Sequence, residues 1–132
     1  MSIPLLVVVA VTAACGGGGV KTMSSSAQLQ RSLNSGGVHC DGYEPATPSE
    51  KQKYVNDQAY CQILGDPSIL FVFKTQSDLK NWVTRDIEAG CSFGFPVVTF
   101  DQGPNWVVQS ETPSVTQTIK ARVGGSAVIH QC

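Results

Sequence analysis

The sequence predicts an α+β domain of two layers, an antiparallel sheet with its helices on one face, fastened by two disulfides. Three observations predict it. A strand–turn–strand–helix pattern occurs twice, over residues 59–90 and 95–125. Each predicted helix has one apolar stripe and needs a single surface to cover. Four cysteines, Cys40, Cys61, Cys91 and Cys132, follow a leader of export type, where four cysteines read as two disulfides.

The leader is residues 1–14. Ile3 to Ala14 holds no charge and is too short to span a bilayer, but suits the apolar core of a signal peptide. Ala13-Ala14 then precedes Cys15, as lipoprotein processing requires, and the sequence resembles a bacterial lipobox. The resemblance implies a diacylglyceryl thioether on Cys15 and a mature chain that starts there. Thr12 stands where a lipobox usually has Leu, and Met1-Ser2 lacks the usual basic residue, so cleavage after Ala14 without lipidation is the rival reading. Four glycines, Gly16–Gly19, would terminate any helix or strand. With Val20 to Ser26 they read as a flexible spacer, so residues 15–26 form a lipidated cysteine and linker.

Residues 27–132 are the domain. Ala27–Asn34 is a short helix, capped by Ser26, with Leu29 and Leu33 on one face and Gly36-Gly37 ending it. Val38–Tyr43 is a strand, and the polar, proline-containing Glu44–Asp57 a loop. The first unit has Ala59–Leu64 as strand, Gly65–Ser68 as turn and Ile69–Phe73 as strand. Its five consecutive apolar residues predict burial on both faces. Thr75 or Ser77 caps the next helix, with Leu79, Trp82, Val83 and Ile87 as its stripe and Gly90 as its end. The second unit has Phe95–Phe100 and Asn105–Gln109 as strands around Asp101–Pro104. Thr112-Pro113 starts its helix, Val115, Ile119 and Val123 are the stripe, and Gly124-Gly125 end it. Ala127–Ile129 is the last strand.

With Cys15 assigned to lipid, four cysteines allow three connectivities. Cys40–Cys61 and Cys91–Cys132 are favoured, because the first ties an irregular segment at both ends and the second pins the terminal residue. The same cysteines lack any CxxC and are separated by 20, 29 and 40 residues, which excludes a zinc site of usual spacing. No metal site and no cofactor is expected.

The segments together resemble small, mostly uncharacterised lipoproteins and secreted proteins of actinobacteria and their phages. The residues that carry the resemblance are Ala-Ala-Cys15 with its glycines, Leu33…Gly36-Gly37-Val38…Cys40, and Ala59…Cys61. Leu70-Phe71-Val72-Phe73 feeding Leu79…Trp82-Val83, Gly103…Asn105-Trp106-Val107-Val108, and Gly124-Gly125 complete the set. The resemblance implies an envelope location and supports the Cys40–Cys61 pair. It implies no established activity, and Cys91 and Cys132 lie outside its pattern.

No nucleophile elbow, zinc-protease pair or phosphate loop is present. A formal net charge of −1 gives no basic excess for nucleic acid or for lipid headgroups. His39 neighbours Cys40, Asp41 and Glu44, but adjacent strand residues point to opposite faces, so His39 and Cys40 do not converge. Trp82 reads as core. Trp106 follows a turn, and its face depends on register, so it is either core or an exposed binding anchor. The expectation is therefore a non-enzymatic binding domain in the cell envelope, exported and held on the outer membrane face by lipid on Cys15. Its partner would be an envelope protein, and a phage superinfection-exclusion factor is one form. The alternative is an envelope hydrolase with a site built from distant residues such as His39 and Asp41. A third reading is a structural stabiliser that packs on a partner through Trp106.

Overall fold

The computed structural model of the chain describes residues 20–132. Helix α1, Ser26–Ser35, precedes strand β1, Asp41–Pro45, and a 3-10 turn, Pro48–Glu50. Strands β2, Asp57–Ile63, and β3, Asp66–Val72, make the first hairpin, and helix α2, Gln76–Ser92, follows. Strands β4, Val97–Gln102, and β5, Trp106–Ser110, make the second, followed by helix α3, Pro113–Val123, and strand β6, Ser126–Gln131. The strands form one sheet in the order β1-β2-β3-β5-β4-β6, with every neighbouring pair antiparallel. The α+β class and the repeated unit are as expected. Both favoured disulfides are formed, Cys40–Cys61 at 2.12 Å and Cys91–Cys132 at 1.98 Å between sulfurs.

The layering differs from the expectation of helices on one face. Leu70 and Val72 of β3 pack with Leu29 and Leu33 of α1 and Val115 and Ile119 of α3. Phe71 and Phe73 pack instead with Leu79 and Trp82 of α2. The sheet is thus covered on both sides, in three layers. The cause is topological. The path from β3 through α2 to β4 and the path from β5 through α3 to β6 each step two places the same way along the sheet. Crossovers are right-handed in nearly all cases. Since β3 and β5 run in opposite directions, two crossovers of one hand and one direction must pass over opposite faces. Two-sided burial of β3 was legible in its apolar run and already required this.

Several element ends move for local reasons. The β2–β3 turn is two residues, Leu64 (φ 53°) and Gly65 (φ 80°), so Pro67 lies inside β3 opposite Gln62. Helix α2 passes through Gly90, because that glycine lets Val98 approach: a Cβ there would meet the valine at 2.5 Å. Ser25, not Ser26, caps α1 by accepting from the Gln28 N–H at 3.1 Å. Thr112 sits at the start of α3, but the cap comes from Asp66, whose carboxylate accepts from the N–H groups of Glu111 and Thr112 at 2.9 and 3.0 Å.

The described part of the expected linker, Val20–Ser25, is not free of the domain. Met23 is buried and exchanges two hydrogen bonds with the Asn105 side chain, at 2.8 and 2.7 Å. The Trp106 indole donates to the Lys21 carbonyl at 2.8 Å. Val20–Ser25 is therefore part of the folded domain, and the rest of the expected linker, with Cys15, lies outside the described residues.

Candidate functional site: the groove beneath helix α2

A helix is about 10 Å across, whereas six strands at about 4.8 Å spacing make a much wider surface. Helices α1 and α3 share one face, but α2 has the other to itself. Part of that face stays uncovered, and a groove of about 1290 Å³ runs there. Its volume exceeds the usual few hundred to about 1,000 Å³ of small-molecule sites. Tyr60, Ile69 and Gln109 stand in one cross-strand row and form the floor. Trp82, Asp86 and Ala89 of α2 form a wall, and Phe93 and Phe95 stand at the rim.

The wall is rigid. Trp82 packs on Phe71, Phe73 and Phe100 with ring centroids 4.6, 5.8 and 5.6 Å away. Its indole N–H donates to Gln52 Oε1 at 2.9 Å. Gln58 Oε1 accepts from the Gln52 N–H at 2.9 Å, and its amide donates to the Tyr60 hydroxyl at 3.1 Å. That hydroxyl keeps its own proton for a groove occupant. The rim is held by the Cys91–Cys132 bridge and by the Cys132 N–H donating to the Pro96 carbonyl at 3.0 Å. Phe93 is 83% and Phe95 60% exposed, unusual for two aromatics beside a disulfide.

Five charged residues line the groove, and of these only Asp86 is half-buried, since Asp41, Lys53, Arg85 and Glu111 are exposed. Asp86 follows Trp82 and Val83 at helical spacing, within the stripe that faces the sheet. Burial raises its carboxyl to about 6, against a smaller lowering by the Gln109 amide, which donates to its Oδ2. At neutral pH it is a half-buried carboxylate with one oxygen free of any side-chain donor among the described residues. The groove can thus hold an elongated apolar body and meet one cationic or hydrogen-bond-donating head.

The residues singled out from sequence lie elsewhere. Cys15 falls outside the described residues. Trp106 is 1% exposed in the α1/α3 core, so it is no surface anchor. His39 and Asp41 are exposed. Among the described residues no three His, Cys, Asp or Glu side chains gather as metal ligands, and no helix is long and apolar enough to cross a membrane.

A second perturbed carboxyl lies on the opposite face. Asp101 of β4 is fully buried, and neither of its oxygens has a hydrogen-bond partner. A Cβ on Gly125 would meet both oxygens at 2.8 and 2.9 Å, so only glycine fits over it. Burial raises this carboxyl to about 7, with Lys120 and the Gln102 backbone pulling it back. Sequence reasoning missed both aspartates as a site. Asp86 had a signal, a carboxylate within an apolar helical stripe, and Asp101 had none.

The chain matches no protein-family profile, no curated protein and no solved structure.

Proposed function

We propose that this chain is an exported, lipid-anchored binding protein of the cell envelope, and that its ligand lies in the groove beneath α2. The observation that supports a binding role is the groove itself: a floor of Tyr60, Ile69 and Gln109, an aromatic rim and one half-buried carboxylate. The leader and Cys15 support the location. The ligand is amphipathic, with an extended apolar body and a cationic head that pairs with Asp86. Asp41, Lys53, Arg85 and Glu111 also line the groove but are exposed, so water screens them and the half-buried charge decides the selectivity. A more specific form of the reading is exclusion of a second phage at the envelope. Equal plating efficiency with and without the protein refutes that form alone.

The test compares a fatty amine with the fatty acid of equal chain length, below micelle formation, by titration of the tryptophan fluorescence. The amine should bind at least about tenfold more tightly, the size of one charge-assisted contact. Asp86→Asn should abolish the preference, and Ala89→Trp, which fills the groove, should abolish binding of both. Equal binding of the two lipids, or undiminished binding to Ala89→Trp, refutes the assignment.

A further inference from the structure

The end of the domain where Val20 enters bears an unbalanced set of cations. Val20 packs against Gly124, just past the end of α3, where a Cβ would come within 2.8 Å of it. The C-terminal ends of α1 and α3 meet there: a Cβ on Gly36 would touch Val123 and the Arg122 carbonyl at 3.0 and 3.1 Å. Lys21, Arg122, Ser32 and Ser35 line one shallow recess of about 280 Å³ between them. Lys120 lies half a turn before Arg122, and Arg31 one turn before Ser35. All four cations are exposed. Neither helix has an acidic residue. The carboxylates that touch these helices sit at their other ends, Asp57 on the Ser26 N–H and Asp66 on Thr112. Arg122 lies ten residues, about 15 Å of helix, beyond Thr112 and outside a Debye length of about 8 Å at physiological salt, whereas Arg31 lies only five residues, about 8 Å, from Ser26. Asp101, near Lys120, is buried beneath the surface.

We infer that this end of the domain, formed by Lys21, Arg31, Lys120 and Arg122, docks on an anionic phospholipid surface. Two independent features argue for a membrane as the occupant. The charges are complementary: four exposed cations, with the Asp101 carboxyl beside Lys120 buried beneath the surface. The chain outside the described residues also leaves from this end, and the step from Cys15 to Val20 reaches at most about 18 Å. A bilayer holding Cys15 by lipid would thus face this end and no other. The net charge of −1 concealed this, because the balancing acidic residues lie on other surfaces. The groove beneath α2 is on the opposite face of the sheet, so docking leaves it open. The inference deepens the envelope reading and rests on it for the membrane and for the lipid at Cys15, whereas the charge argument stands without the lipid.

The test uses the chain from residue 16, which keeps both cores, both disulfides and every hydrogen bond named above, and lacks Cys15. Its co-sedimentation is measured with vesicles of mixed phosphatidylglycerol and phosphatidylcholine, and with phosphatidylcholine alone. Binding should require the anionic lipid and fall with added salt. Each cation near a surface accounts for roughly a fivefold change in partitioning. The triple variant Arg31→Gln, Lys120→Gln, Arg122→Gln should therefore lose on the order of a hundredfold. Lys51→Gln, Lys53→Gln, Lys80→Gln, which removes equal charge elsewhere, should lose little. No binding to anionic vesicles, equal binding to neutral ones, or equal losses in the two triple variants overturns the inference. Failure of the lipid-anchor reading would appear elsewhere, as a membrane-fraction protein whose mass lacks lipid at Cys15.

Discussion

Replacing Asp101 with Asn should stabilise the domain at alkaline pH and leave it nearly unchanged in mild acid. The side chain is fully buried, and both oxygens lack partners. Burial raises the carboxyl from 3.8 to about 7. The native state therefore holds this proton up to about pH 7, whereas the unfolded chain releases it above about pH 4. Between those values the native state binds one more proton, so stability falls as pH rises, by about 1.4 kcal/mol per pH unit. Over the full window the charged form is disfavoured by about 4 kcal/mol, a large share of the 5–15 kcal/mol that domains usually have. An asparagine there is uncharged but leaves its amide unpaired, at a cost of about 1–3 kcal/mol. Asp101→Asn should then gain about 1–3 kcal/mol at pH 8 and lose or hold at pH 5. The assay is urea unfolding with both disulfides oxidised, followed by fluorescence of the buried Trp82 and Trp106. The difference between variant and parent cancels every other titrating group. A difference independent of pH between about pH 5 and 8 would refute the reasoning.

Asp86 gives a second pH dependence, read in binding. Its carboxyl is raised to about 6, so the affinity for a fatty amine should increase as pH rises through that value, and Asp86→Asn should flatten the titration. Asp66→Ala removes the acceptor for two N–H groups at the start of α3 and should cost about 1–2 kcal/mol in urea unfolding, with unchanged groove binding. Gly103→Ala should be far worse. A Cβ there would lie 2.0 Å from the Trp106 indole, so the β4–β5 turn must shift, and a loss of about 3 kcal/mol or more is expected by the same assay. An Ala at Gly65, with open space around it, should cost only the strain of its positive φ, about 1 kcal/mol.

The parts of the fold that were legible are those set by short-range chemistry. Thr75 accepts from the Asp78 N–H at 3.0 Å, as its place before the α2 stripe implies. Pro113 opens α3, and the apolar run of β3 is buried on both faces. The parts that were not legible depend on distant partners. Val20–Met23 has linker composition, yet Asn105 and Trp106, more than eighty residues away, hold it by hydrogen bonds. Asp66 reads as a turn residue but caps a helix 46 residues later. Layering followed from strand order, and strand order needs the β3–β5 pairing, which no local pattern encodes. Of the candidate site, Asp86 stood in view within its stripe. The groove did not, because it is the area one helix fails to cover.

The attachment of Met23 and Lys21 determines how the domain answers to tension. On the anchored reading proposed above, any load on the domain would be borne at its N-terminal end. That force would first meet the hydrogen bond from the Trp106 indole to the Lys21 carbonyl, then the pair between Met23 and Asn105 at the β4–β5 turn. Were they to part, α1 would peel from the sheet, and slack would run out as far as Cys40. There the bridge to Cys61 stops it and diverts the pull to β2, bypassing β1 altogether. The groove beneath α2 lies beyond that stop, on the face α1 does not touch. If the chain is anchored at Cys15 as proposed, a pull on that end could thus release the twenty-odd residues up to Cys40 before it reaches the strands that floor the groove.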